Sequence, residues 1–158
     1  MKKITLLMLI SVLGLALSAQ RYTGKNYISP QDKLNDEYCS GLFKTHDGII
    51  FDLQNENESA KSYSNILEWL NGRVAGLQVY YTRYGTPIPF IRNTRSSIFV
   101  DEIAVDPGFL NTLPVTDIAM IKVIKEPFIG AIGNGAGGTI AVYTIKGDGD
   151  DEETDEGK

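Results

Sequence analysis

Gly133, Gly135 and Gly138 stand at the spacing of a G-x-G-x-x-G fingerprint in the stretch GNGAGGTIAVYTIKG, and Gly137 thickens the cluster. In a dinucleotide-binding protein such glycines follow a first strand, open a helix and let that helix's N-terminus hold the pyrophosphate. Here the β-branched, alternating run Thr139 to Ile145 follows them, and that run reads as a strand. Gly133, Gly135, Gly137 and Gly138 are therefore expected to supply positive φ angles and close backbone approach in a tight turn feeding a strand. No nucleotide or other cofactor is expected.

The remaining chemistry-bearing residues are sparse. Cys39 is the only cysteine and His46 the only histidine, so a disulfide within the chain and a Cys-rich zinc site are excluded. A nucleophilic thiol would want His46 close by, and the seven-residue separation permits that, but no third orienting group stands in a known pattern. Burial is the expected fate of Cys39, with a small hydrolase built on Cys39 and His46 as the alternative. Asp101 and Glu102 are adjacent at what reads as a strand end, where their side chains should point to opposite faces and make poor partners for acid/base work. The stretch GDGDDEETDEGK carries seven acids and one base, yet Glu153 falls, counting from Asp148, at the position where an EF-hand loop needs glycine. No metal site and no catalytic residue are expected.

Charge patterning narrows the partners. The formal net charge is -5, but the acidic end accounts for nearly all of it. Residues 21–147 hold thirteen acids and twelve bases. Neither part offers the basic stripe that a phosphate backbone requires, so nucleic acid is not an expected partner.

The elements that would position these residues can be read in order. Lys2 and Lys3 precede an apolar run to Ala19, the pattern of a bacterial secretory signal peptide over 1–19 and too short for a bilayer-spanning helix. Residues 20–41 are polar and broken by Gly24 and Pro30, a flexible lead-in. A single folded domain is expected over 42–147 and a disordered acidic tail over 148–158. Within the domain, His46-Asp47-Gly48 between Leu42–Lys44 and Ile49–Leu53 signals a hairpin. Ile66, Leu67, Trp69, Leu70 and Val74 recur at helical spacing behind Ser62 or Ser64 as cap, with Gly72 and Gly76 ending the helix. Leu77–Tyr81 reads as a strand. Pro87 and Pro89 make PIPFIRN an edge or a bulge. Ser97–Val100 and Ile103–Val105 are short strands, Asp106 and Pro107 start a helical turn, and another turn follows Pro114. Ile118–Ile124 and Thr139–Ile145 are buried strands. The fold class is α+β: a small mixed β-sheet with one main helix and short helical turns.

Several segments together resemble one family. NILEWLNGRVAGLQV (Asn65 to Val79) resembles the helix-to-strand segment of TonB-dependent receptor plug domains, with its Gly-Arg-Val-x-Gly-apolar run. SSIFVDEIAV is similar to the family's strand ending in Asp-Gly-x-x-apolar, DIAMIKVIKEP to its Asp-Ile-x-x-Ile-x-Val-apolar-Lys-x-Pro segment, and the opening glycine stretch to its Gly-rich turn into a strand ending Thr-x-Lys-Gly. The Gly-Arg-Val-Ala-Gly helix end is most similar to receptors of the Bacteroidetes type. The departures are Glu102 and Asn93, each where the family usually has glycine, and the absence of a short apolar TonB-binding box in the N-terminal segment.

The resemblance implies a non-enzymatic, exported binding or interaction module of the cell envelope, periplasmic or associated with the outer membrane. It implies an outer-membrane receptor barrel or a TonB-type protein as partner, with membrane contact indirect. A receptor plug sits inside a far larger barrel, so transport by this chain alone is not expected. Tyr80, Tyr81, Arg83, Tyr84, Arg92 and Arg95 form the candidate interface, since Tyr and Arg favour interface hot spots.

Overall fold

The computed structural model describes residues 28–128 and 135–146. The signal peptide over 1–19, the acidic tail over 148–158 and Gly133 lie outside the described residues.

The first element is a helix where a flexible lead-in was expected. Ser29 caps it, its hydroxyl accepting from the Asp32 amide, and Pro30 takes the first helical position of α1 (Pro30–Tyr38). Pro30 is thus a helix opener, since its fixed φ suits the first turn and its missing N–H would have no partner there. The expected hairpin at Asp47-Gly48 does not form either. Gly41 has a positive φ and starts a 3₁₀ turn, Gly41–Phe43, that buries Phe43. Strand β1 (Ile49–Asp52) then pairs with a strand some seventy residues on, in the register Ile50 with Lys122.

Most of the rest follows the sequence pattern, but PIPFIRN is neither the edge nor the bulge expected: Pro87–Ile91 is the central strand of a three-stranded sheet, paired on both sides. After a 3₁₀ turn over Glu58–Ser62, α2 (Ile66–Leu70) is capped by Asn65, whose side chain accepts from the Leu67 amide; neither expected serine serves. Its four apolar residues are all buried. Gly72 and Gly76 both have positive φ in the turn that leads to β2 (Leu77–Tyr81). Strands β3 (Pro87–Ile91) and β4 (Thr94–Arg95) complete a three-stranded antiparallel sheet in the order β2-β3-β4. The Pro89 carbonyl accepts from the Ser96 amide, so the proline nitrogen faces away from β2 and its missing N–H costs only the return bond to Ser96, just past the end of β4.

Strands β5 (Ser97–Val100), β6 (Ile103–Val105), β7 (Ile118–Ile124) and β8 (Thr139–Thr144) join β1 in a five-stranded sheet ordered β1-β7-β8-β5-β6. Between β6 and β7 the Asp106 side chain caps a 3₁₀ turn over Pro107–Asn111, and a second such turn spans Val115–Asp117. Only the β5–β8 pair is parallel. Both faces of this sheet are covered, and so β7 and β8 read as continuous apolar runs. One face carries Ile121, Val123, Ile140, Val142 and Ile98 against α2, Leu53 and Leu110. The other carries Met120, Ile124, Ala141, Tyr143 and Phe99 against Cys39 and Phe43. A register shift between Ile118 and Met120 reconciles Ile118 and Ile121 on one face despite their odd spacing.

The positive φ expected along the glycine cluster is found, among the described residues, at Gly138 and not at Gly135 or Gly137. Gly135–Gly137 form a 3₁₀ turn and Gly138 has φ of +73°. A Cβ on Gly137 would stand 2.1 Å from the Arg95 carbonyl oxygen, and one on Gly138 2.4 Å from that of Ile124. The cluster exists because the chain must pass against β4 and β7 before entering the middle of the sheet.

Candidate interaction surface

The six candidate interface residues all lie on the three-stranded sheet or its turns, and all are exposed. Pleating sorts them. Leu77, Pro87, Pro89 and Ile91 are buried toward the core. Gln78 and Tyr80 therefore share the opposite face with Ile88, Phe90 and Arg95, which stand beside them in register. On that face the Tyr80 and Phe90 rings meet edge to face at 5.3 Å, and the Tyr80 hydroxyl bonds Gln78. Tyr84, 92 % exposed, sits with Arg83 in the β2–β3 turn. Two residues stand apart. Tyr81 points to the other face, its hydroxyl 3.3 Å from Glu68. Arg92 is at the opposite turn, paired at 3.3 Å with Glu126.

Both departures from the family's glycines are residues in left-handed turns. Arg92 and Asn93, and again Asp101 and Glu102, have positive φ at both central positions of two-residue hairpins, the geometry of a type I′ turn. That turn corrects the expectation for Asp101 and Glu102. Their side chains do not diverge across a strand; both line one surface cleft of about 360 Å³ with Tyr38, Tyr143, Thr144 and Lys146. Asp101 takes the Thr144 amide at 2.9 Å and its hydroxyl at 2.8 Å. Glu102 takes the Ser40 amide and hydroxyl and stands 3.3 Å from the Tyr143 hydroxyl. The carboxylates are thus occupied in tying β5–β6 to β8 and to the segment after α1.

Cys39 and His46 are not brought into a catalytic arrangement. Cys39 is buried beside Tyr143, and that burial pushes its thiol up, away from the reactive thiolate. His46 is 91 % exposed, with Asp32 at 3.9 Å. Among the described residues no group of three or more His, Cys, Asp or Glu could hold a metal ion.

Two residues with structural work were missed by the sequence reading. Lys122, in the middle of β7, is 1 % exposed and donates to Asn35 Oδ1 and to the carbonyls of Phe43, at 2.8 Å, and Thr45. Burial lowers its pKa, although all three protons of the ammonium find acceptors. A lone lysine inside an apolar strand run was the available signal. Arg73 lies 4.5 Å over the Trp69 ring and donates to the Trp69 carbonyl, which gives the Arg of the Gly-Arg-Val-x-Gly run a stacking role.

No family model and no curated protein sequence match the chain. Solved structures do. The chain is similar to the siderophore receptor PirA from Acinetobacter baumannii, at 16% identity and a TM-score of 0.51, over 76% of this chain and 19% of that one. It is similar to a mutant of the ferric enterobactin receptor PfeA from Pseudomonas aeruginosa with enterobactin bound, at 20% identity and a TM-score of 0.51, over 63% of this chain and 17% of that one. The RagAB peptide importer in its closed-closed state matches at 24% identity and a TM-score of 0.49, over 65% of this chain and 13% of that one. The chain has an α+β fold like that of a TonB-dependent receptor plug domain. It spans less than a fifth of the length of these receptor chains.

Proposed function

We propose that this chain is a non-enzymatic binding module of the cell envelope, exported by its N-terminal signal, that uses a plug-like fold to engage a receptor barrel or a TonB-type protein. The observation that carries the reading is the exposed Tyr–Arg surface of the three-stranded sheet on a receptor-like fold. Tyr80, Tyr81 and Tyr84 are each more than half exposed, and Arg83 and Arg95 have no ion-pair partner among the described residues. Tyr and Arg are enriched among the residues that carry binding energy at protein interfaces. The hydrolase alternative built on Cys39 and His46 is not favoured, because the thiol is buried and the imidazole faces solvent.

Affinity purification of the tagged protein from bacterial envelope fractions tests this. Recovery of a barrel or TonB-type protein is expected, reduced for Tyr80→Ala and Tyr84→Ala. Absence of any such partner, together with hydrolysis of a model substrate abolished by Cys39→Ala or His46→Ala, would overturn it.

A further inference from the structure

The three-stranded sheet has a charge property that its fold does not require. From Trp69 to Val100 the chain contains four arginines and not one Asp, Glu or Lys, in a protein whose net charge is -5. Arg73 stacks on Trp69 and Arg92 pairs with Glu126, which leaves Arg83 and Arg95. Arg95 stands on the outward face beside Phe90, and Arg83 in the adjoining β2–β3 turn. Between them lie Tyr80, Ile88 and Phe90, an aromatic and aliphatic centre with cations at its rim. Such a surface is complementary to an extended segment with many carboxylates.

The chain itself supplies that chemistry. Residues 147–158 carry seven acids and one base. We propose that the outward face of the three-stranded sheet docks the acidic C-terminal stretch of a second copy of this chain, with carboxylates against Arg83 and Arg95 and its backbone across Tyr80 and Phe90. This rests on the reading of the sheet as an interaction surface.

Geometry favours a second copy over the chain's own tail. Lys146 follows β8 at the end where Asp101 binds Thr144, and it is fixed there by its bond to the Glu37 carbonyl, at 2.7 Å, and by the Tyr38 ring. Arg95 flanks Gly137 at the opposite end of β8. The span from Gly138 to Lys146 is on the order of 25 Å. The ten residues from Lys146 to Glu156 extend at most about 35 Å, so a tail folding back would have to run nearly straight around the body. A neighbour's tail carries no such constraint.

Titration of a labelled synthetic peptide of residues 147–158 into dilute full-length protein, followed by fluorescence anisotropy, tests the assignment. Saturable binding is expected, weakened about fivefold by Arg83→Ala with Arg95→Ala, about tenfold by Tyr80→Ala, and several-fold when salt rises from about 50 to about 300 mM. Circular dichroism of these variants should match that of the parent, since all three side chains are exposed. Sedimentation of the full chain at concentrations spanning the measured Kd should show salt-reversible self-association. Failure of the peptide to bind at low salt, or binding that ignores the arginines, overturns the docking surface. Peptide binding with a chain that stays monomeric throughout overturns the second copy as its source. Neither failure touches recovery of an envelope partner, which is read in a separate experiment.

Discussion

Among the described glycines, Gly137 has the least room for a side chain. Its missing Cβ would overlap the Arg95 carbonyl oxygen at 2.1 Å, a backbone atom that cannot swing aside as a flexible side chain could. Gly137→Ala is expected to destabilise the fold by more than about 3 kcal/mol, measured by urea denaturation. The left-handed positions behave differently. Asn93 has φ of +64° and makes no side-chain bond among the described residues, so Asn93→Gly should be neutral or stabilising by up to about 1 kcal/mol. Glu102 has φ of +67° but holds Ser40. Glu102→Gly relieves the turn and loses those bonds, and should therefore be destabilising by about 1 kcal/mol. Opposite signs for two glycine substitutions in matching turns would show that Glu102 is retained for its contacts.

Tyr143 gives a residue-scale test by pH. Burial, then its hydrogen bond with Cys39 and the charge of Glu102, pushes its phenol far above the ordinary 10.0. A group whose pKa is raised on folding contributes stability below its unfolded pKa and loses it as pH climbs above that value. Cys39 is shifted in the same direction, while buried Lys122, lowered, has the opposite sign. Stability should thus fall more steeply above about pH 10 in the parent than in Tyr143→Phe. Phenolate absorbance should show Tyr143 titrating only as the protein unfolds. Tyr143 ionising alongside the exposed tyrosines at about pH 10 would contradict its burial.

At the scale of elements, one buried lysine is the polar anchor of α1 and the Gly41–Phe43 turn on the sheet, beside the apolar contacts of Cys39 and Phe43. Replacing Lys122 by Met leaves Asn35 Oδ1 and the carbonyls of Phe43 and Thr45 without that donor. A loss of about 2 to 4 kcal/mol is expected, with faster amide exchange over 30–45 than in β8. A change below about 0.5 kcal/mol would mean that the polar anchor is dispensable. This part of the fold was also the part least legible in sequence. The strands of the large sheet announced themselves by apolar runs, and Gly137 and Gly138 by their spacing before a strand. The Ser29-Pro30 start of α1 is a capping signal, yet the helix between its caps is polar and has no strong apolar stripe, and only tertiary contacts at Asn35, Cys39 and Phe43 fix it. The Asp47-Gly48 hairpin misled because β1 finds its partner in β7, and Gly48 turns the chain against the Lys122 side chain. Asp101 and Glu102 were placed on a strand, and their left-handed turn was unforeseen because neither is glycine. The six interface residues were traced to one sheet, but their division between its two faces depended on a register that spacing alone does not fix.

Across the whole molecule, an apolar body with both faces of its main sheet covered leaves function to the surface. The exposed three-stranded sheet, rich in Tyr and Arg and free of carboxylates, is the surface on which the proposed envelope role depends. Site-specific photo-crosslinking in intact bacterial envelopes tests that role most directly, with a photoreactive residue placed at Tyr80 or Tyr84 and, as control, at exposed Lys61. Adducts with a barrel or TonB-type protein are expected from Tyr80 and Tyr84 and not from Lys61. Equal adducts from all three positions, or none from the two tyrosine positions, would contradict the assignment of this sheet as the interaction surface.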